Sequence, residues 1–248
     1  MQTNTGPSIS LSIVIPMYNE SSRIQKTIES VSSFLSESYF IENYEILLID
    51  DGSSDNTCEV VNSFIKDNKN IRLIKHQFNK GKGEAIKTGI SDSVMGYILY
   101  MDADSSVNIY ELDSFINHID KYDVIIGSRK KIKNIDNNIL IFLIRKFISS
   151  IGHSLNKLLL KGIYDSQCPF KLFKGDIIRD LIKKTYISRY AVDLEILFLI
   201  QKYEYSILEV NVNSELISDS KFRLFRDTMK TFIDFISIFL NDYTGKYK

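Results

Sequence analysis

The 248-residue sequence has no excess of either charge: 31 Lys and Arg balance 31 Asp and Glu, for a formal net charge of zero. Nothing global therefore points to nucleic acid or another strongly charged partner. Only two cysteines occur, Cys58 and Cys168, far apart and without metal-ligand spacing. That excludes a disulfide scaffold or a cysteine zinc site and fits a reducing, cytoplasmic setting. The first eight residues are polar and lack the apolar core of a signal peptide. Nowhere do about 18 apolar residues run consecutively, the length a spanning helix needs. A soluble or peripheral protein is expected. There is no internal repeat, low-complexity tract or Pro/Gly-rich linker, so one domain over 1–248 is the economical organisation.

What is present is an apolar fraction of 44%, enough for a substantial core. Short apolar runs alternate with helically spaced segments through the first half. Strands are expected at Leu11–Ile15, stopped by Pro16, and at Glu45–Ile49, Ile71–Ile74, Tyr97–Met101 and Asp123–Ile126. Helices fall between them, with Asp55 placed as an N-cap of the second. Apolar strands separated by helices predict an α/β fold, a mainly parallel sheet covered on both faces. The second half adds a long helical segment over Asn138–Leu160, a strand at Phe170–Phe173, helices near Ile177–Lys184 and Val192–Tyr203, and a strand at Ser206–Val210. An aromatic amphipathic helix over Leu224–Leu240 follows. From Lys121 to Arg189 the sequence holds 15 Lys and Arg against 5 Asp and Glu, either a solvated surface or a site for phosphates.

In such sheets ligands sit beyond the carboxyl ends of the strands, and every polar cluster here follows a strand end. Asp102 and Asp104, after the fourth strand, are placed to share an oxygen-seeking Mg²⁺ or Mn²⁺ with a diphosphate. Asp50 and Asp51 follow the second strand, where a carboxylate accepts hydrogen bonds from a ribose or base, or simply begins a turn. Pro16-Met17-Tyr18-Asn19-Glu20 follows the first strand, which has no Gly-x-Gly-x-x-Gly turn, so a dinucleotide oxidoreductase is disfavoured. Asn79-Lys80-Gly81-Lys82-Gly83 offers glycines for close backbone approach and lysines for phosphate.

The order Val14-Ile15-Pro16-x-Tyr18-Asn19-Glu20, Asp50-Asp51-Gly52-Ser53-x-Asp55, Asn79-Lys80-Gly81-x-Gly83 and Asp102-Ala103-Asp104 resembles the family 2 inverting glycosyltransferases of the GT-A (Rossmann-like) fold. Asp165-Ser166-Gln167-Cys168-Pro169-Phe170-Lys171-Leu172-Phe173 and Arg189-Tyr190-Ala191-Val192-Asp193-Leu194-Glu195 are similar to second-half motifs of the dolichyl-phosphate β-glucosyltransferases. Ser220-Lys221-Phe222-Arg223 fits the same subfamily. The resemblance implies a nucleotide-sugar half over 1–130, an acceptor half over 131–223 and a C-terminal amphipathic helix and tail over 224–248. It implies glucose transfer from UDP-glucose to a polyprenyl phosphate at the cytoplasmic face of a membrane, with homo-oligomers possible. Pro16, Tyr18 and Glu20 would hold the nucleoside, Asp50 or Asp51 the uracil and ribose, and Lys80 and Gly81 the base or phosphates. Asp102, Ala103 and Asp104 would serve the metal and diphosphate, with Ser128 and Arg129 flanking the acceptor. The related mannosyltransferases usually carry Gln where Ser106 stands, which turns the reading from mannose to glucose. The N-terminal anchor common in the glucosyltransferases has no counterpart here, so peripheral attachment is expected.

A lipid monophosphate has a second pKa near 6, so its attacking oxygen is already largely ionised at neutral pH and needs no strong base. Arg129, Lys171, Arg189 and Lys221 are then the cations expected on the acceptor phosphate, and Asp165 either a base or the partner that orients Arg129 or Lys171. A sugar-hydroxyl acceptor would instead require a base from Asp165, Asp193 or Glu195, the last two otherwise forming a helix's polar face. The alternatives are another donor such as GDP-mannose, a polysaccharide or glycolipid hydroxyl acceptor, and a binding protein without turnover.

Overall fold

The structure, a computed structural model, describes residues 8–66, 68–129, 159–214 and 224–248. Its first half lays down β1 (Ile9–Met17), α1 (Ile24–Glu37), β2 (Ile41–Asp50), α2 (Thr57–Ile65), β3 (Ile71–Lys75), α3 (Lys82–Asp92) and β4 (Tyr97–Met101). After a 3-10 turn come α4 (Leu112–Ile116) and β5 (Val124–Arg129). Then follow β6 (Phe170–Lys174), α5 (Gly175–Ile182), α6 (Val192–Lys202), β7 (Ile207–Val212) and α7 (Leu224–Tyr243). The seven strands form one sheet in the order β3-β2-β1-β4-β6-β5-β7. The pairs β3/β2, β2/β1, β1/β4 and β5/β7 are parallel, whereas β6 runs antiparallel to both β4 and β5. The mainly parallel sheet expected from the sequence is therefore interrupted by one reversed strand near its middle.

Because successive side chains of a strand face opposite ways, the continuous apolar runs feed two cores. Ile13, Ile15, Ile46, Leu48, Leu99, Ile125 and Leu172 pack on one face with α1, α2 and α4. Val14, Leu47, Ile49, Ile98, Val124, Ile126 and Phe173 pack on the other with α3, α5, α6 and the inner side of α7. Lys171 belongs to this second face: it pairs with Tyr100 of β4 and Ile126 of β5.

Several strands outrun their sequence limits: β5 continues to Arg129 and β7 to Val212, and β1 and β2 are longer still. β2 begins at Ile41, and β1 continues through Pro16 to Met17. Pairing of β1 to β4 ends at Val14, while pairing to β2 runs on to Met17, so the proline ring falls where β1 no longer has a partner on both sides. Most of the helix expected over Asn138–Leu160 lies outside the described residues; Leu159 and Leu160, at its end, are buried in the second core.

Helix α3 lies close on the sheet because Gly89 has no side chain: a Cβ there would sit 2.3 Å from Cγ1 of Val14 and 3.0 Å from Cγ1 of Ile49. Gly89→Val should overpack this seam and cost about 2–3 kcal/mol, read as a lowered urea midpoint. An unchanged midpoint would show that the α3 seam is not close-packed.

Candidate active site

Six strand ends and one strand start share a single edge of the sheet. Register brings Met17 beside Asp50, Asp50 beside Lys75, and Met101 beside Phe170. Because β6 is reversed, the segment leading into it, residues 165–169, arrives at the edge where β4 and β5 end.

The loop after β1 is held by side chains rather than by regular structure. Asn19 has a φ of 56°, in the left-handed region. Its N–H donates to Ser53 Oγ at 2.8 Å, and its Oδ1 accepts from Ser54 N at 2.8 Å. Glu20 N donates to Thr57 Oγ1 at 2.7 Å, and the Glu20 carboxylate pairs with Arg23 at 2.7 Å. Asp55 ties the two turns, accepting from Ser21 N at 3.2 Å and Thr57 N at 3.0 Å. Burial raises its pKa, but the hydrogen bonds from Thr57 and Ser21 outweigh that and bring it to about 2. The helix cap expected of Asp55 is thus offset by one residue, since Asn56 occupies the N-cap of α2. Pro16 is buried and Tyr18 exposed at the rim.

Asp50 and Asp51 part company. Asp51 is a brace: it accepts from Lys80 N at 2.9 Å, Gly81 N at 2.8 Å and His76 Nδ1 at 2.8 Å. Those bonds fix the 79–83 loop against β2, whereas Asp50 accepts from Ser53 N at the longer distance of 3.3 Å and faces the Cys58 thiol. Gly52 has a φ of 73°, and a Cβ on it would lie 2.7 Å from the Phe78 carbonyl carbon. Gly81, at φ 103°, and Gly83 do the same on the other side, where Cβ atoms would meet Ser188 O at 2.4 and 2.8 Å. Gly83 N donates to that carbonyl at 2.8 Å. The glycines serve contact between loops.

At the end of β4, Asp102 receives Lys82 Nζ at 2.8 Å on one oxygen and 3.0 Å on the other, and the Tyr100 hydroxyl at 3.2 Å. Burial would lower the Lys82 pKa, but the Asp102 charge raises it, so the group stays an ammonium. Burial, then the Asp102 charge, pushes the Tyr100 phenol well above its ordinary range, so it keeps its proton and donates. Asp104 Oδ1 accepts from Ser106 N at 2.9 Å. Ser105 is in the left-handed region at φ 53°, and its hydroxyl donates to Thr27, whose own hydroxyl donates to Ala103 O at 2.7 Å. Lys80, by contrast, is exposed, with its Nζ 5.8 Å from the Phe78 ring centroid.

Across β6 from this pair, Arg129 at the end of β5 grips Asp165 with Nε at 2.7 Å and Nη2 at 2.9 Å, and with its own N–H at 3.1 Å. Glu209 of β7 accepts from Tyr164 N and Asp165 N at 2.8 and 2.7 Å, supporting the clamp from behind. Burial raises the Asp165 pKa, but Arg129 outweighs it, leaving a lowered value that suits an orienting carboxylate better than a base. Ser128 is buried beside it. Burial pushes the Cys168 thiol up to about 12, so it is inert.

Three sequence expectations change. Lys171 is fully buried, with Nζ 2.5 Å from Asp193 and 2.6 Å from Cys168 O, so it supports β6 rather than reaching an acceptor phosphate. Asp193 and Glu195 are not a polar helix face: both are buried. Glu195 accepts from Tyr186 N, Ile187 N and Tyr247 OH at 2.9, 2.8 and 2.5 Å, fixing the loop that presses on Gly81 and Gly83. Arg189 is bound to Asp234 of α7 at 2.5 Å, and Lys221 lies outside the described residues. Tyr100 and Glu209 are contributors that the sequence did not single out, and Lys82, offered only as a phosphate lysine of the 79–83 cluster, is found on Asp102. Position at the first turn of α3 was the available signal for Lys82.

Residues 12–181 match the family model described as glycosyl transferase family 2. The chain is 34% identical to a dolichyl-phosphate β-glucosyltransferase of Dictyostelium discoideum, covering 97% of this chain and 77% of that protein. Identity to the Saccharomyces cerevisiae protein of the same name is 31%, with the same coverage. Among solved structures, glucosyl-3-phosphoglycerate synthase from Mycobacterium tuberculosis in complex with UDP superposes with a TM-score of 0.71 at 13% identity, covering 93% of this chain and 80% of that one. That likeness establishes the GT-A fold. The chain belongs to glycosyl transferase family 2.

The buried Lys171–Asp193 pair makes a stability test. Asp193→Ala would strand an ammonium in the core and should cost about 3–5 kcal/mol, while the double change Lys171→Met with Asp193→Leu should recover most of it. Chemical denaturation measures both; equal losses in the single and double variants would show that the pair carries no charge coupling.

Proposed function

We propose that this family 2 glycosyltransferase transfers glucose from UDP-glucose to a dolichyl-type polyprenyl phosphate, with inversion at the anomeric carbon and at a membrane surface. The observation that carries the reading is the division of charge along one strand-end edge. Carboxylates Asp102 and Asp104 stand at β4, and the cation Arg129, clamped by Asp165, stands at β5. The dolichyl-phosphate β-glucosyltransferases similar to this chain over nearly its whole length support the acceptor and the sugar. A synthase of the same fold crystallised with Mn²⁺ and UDP-glucose supports the donor.

Asp102 and Asp104 are oxygen donors, part-exposed, at a strand end. Among the described residues no group of three or more His, Cys, Asp or Glu is placed to hold a metal. A partial oxygen set of this kind fits Mg²⁺ or Mn²⁺, which complete their shell with phosphate and water. Bound there, such a metal supplies neutralising charge to the leaving diphosphate.

The chain's own residues then position and balance charge. Asp50, in the turn built by Ser53 and Asn19, and Tyr18 at the rim receive the uridine. Arg129 holds the acceptor phosphate with its oxygen turned to the sugar. That oxygen attacks C1 from the face opposite UDP; the new C1–O bond forms as the old one breaks, and its electron pair leaves with UDP. The acceptor oxygen arrives ionised, so no residue has to remove a proton, and Asp165 acts by fixing Arg129.

The acceptor's prenyl chain lies in a bilayer, and α7 offers a surface to match. Its inner side buries Asp234, Phe235, Ile238 and Asn241, while Phe232, Ile233, Ile236, Phe239, Leu240 and Tyr243 are exposed at helical spacing. Among the described residues no helix is long and apolar enough to cross a membrane. We assign this outer stripe to the membrane surface.

Two measurements test the reading. In a screen of UDP-glucose, GDP-mannose and UDP-N-acetylglucosamine against polyprenyl phosphate with Mg²⁺ or Mn²⁺, UDP-glucose should give the glucosylated lipid, and Asp104→Asn should reduce its rate about a hundredfold or more. Turnover with GDP-mannose alone would replace the sugar, and full activity of Asp104→Asn would remove the metal assignment. Ile236→Glu with Leu240→Glu should lose co-sedimentation with vesicles yet keep activity on a short-chain, water-soluble acceptor. Unchanged vesicle binding would reject the α7 interface.

A further inference from the structure

The place a divalent cation would take on Asp102 is held by a cation that belongs to the chain. Lys82 Nζ lies 2.8 and 3.0 Å from the two carboxylate oxygens, and the Tyr100 hydroxyl adds a third contact at 3.2 Å. Asp104 is the second carboxylate, its Oδ1 accepting from Ser106 N at 2.9 Å. A carboxylate whose oxygens both face an ammonium has fewer lone pairs to offer a metal, and two cations at one carboxylate repel. The backbone of Lys82 has little freedom to withdraw. It begins α3 between Gly81 and Gly83, both pressed on Ser188 O, with Asp51 holding Gly81 N. Its four-carbon stem, however, is flexible, and its side chain is 23% exposed beside an Asp102 that is 25% exposed. The ammonium can therefore swing while the loop stays still.

We infer that Lys82 is a built-in counter-ion that guards Asp102, yielding it to a divalent metal only when a nucleoside diphosphate arrives to take the ammonium. The diphosphate would offer Lys82 a stronger anionic partner, and the vacated carboxylate would be free to hold a metal that neutralises diphosphate charge. Metal and nucleotide thereby bind with positive coupling, and the coupling is reciprocal by linkage. Lys82 is on this account a positioning residue. The inference rests on the proposed metal role of Asp102.

Mn²⁺ binding followed by electron paramagnetic resonance, without turnover, tests it on the full chain. Wild-type protein alone should bind Mn²⁺ weakly and bind it much more tightly with UDP present. Lys82→Met should bind Mn²⁺ without nucleotide about tenfold more tightly than wild type, the scale of one partly exposed ion pair removed. The enhancement by UDP should shrink by a similar factor. Lys82→Gln, which keeps polarity and loses charge, should behave the same way and serves if the Met variant does not fold. Mn²⁺ affinity of the free protein unchanged in both variants would overturn the guard. Asp102→Asn separates the two levels: if it leaves Mn²⁺ binding with UDP intact, the metal reading itself fails. If binding needs Asp102 but ignores Lys82, only the guard fails.

Discussion

Strand β6 runs against its two neighbours, and the geometry of the edge depends on that reversal. A parallel strand in its place would begin at the far side of the sheet. Antiparallel pairing with β4 and β5 instead starts β6 at Phe170, beside Met101, so residues 165–168 lie where β4 and β5 end. Asp165 then meets Arg129 and sets its guanidinium, while Lys171, one step into the strand, turns to the α6 side and meets Asp193. The anionic side and the cationic side are thus neighbours in space although Asp102, Arg129 and Asp165 are dispersed in the chain.

Electrostatic order follows from the same placement. Lys82, Asp102, the protonated Tyr100 phenol, Lys171 and Asp193 form a sequence in which each charge faces its opposite or a neutral dipole. The Tyr100 ring centroid lies 5.6 Å from both ammonium groups, which suits the negative face of an aromatic ring. On the other side, Arg129 faces the Asp165 carboxylate, and Glu209 accepts from the backbone N–H of Asp165. Asp104 and Glu209 accept from backbone N–H groups rather than from cations, so the edge holds more carboxylates than the ion pairs neutralise, and a divalent metal would offset that excess when two anions bind.

Much of the architecture was legible because apolar runs ended abruptly at polar clusters, the signature of strands that stop where a ligand site begins. Asp102, Asp104 and Arg129 could be placed at strand ends on that ground. Other features could not be read locally. Whether Lys80 or Lys82 faces Asp102 depends on the φ of Gly81, and that conformation is bound up with Ser188, which comes from the other half of the chain. The burial of Lys171 depends on Asp193 arriving from α6. A signal for Asp193 and Glu195 did exist: their neighbours Val192, Leu194, Ile196, Leu197, Leu199 and Ile200 spread apolar side chains round the helix and leave it no continuous polar face, as in a buried helix. The sense of β6 was not legible, since a short apolar run reads alike in both directions.

Past α7 the chain turns at Gly245, with a φ of 74°, and inserts Tyr247 completely into the second core. Its carbonyl accepts from Tyr203 and its hydroxyl reaches Glu195, the residue that fixes the loop behind Gly81 and Gly83. Anyone wishing to make the protein easier to handle would be tempted to shorten it before the greasy outer stripe of α7. Such a cut removes a core aromatic and the Asp234 partner of Arg189 along with the stripe, and it frees the loop that backs the nucleotide edge. Better handling has to be engineered by repainting the outside of that helix, with its length left intact.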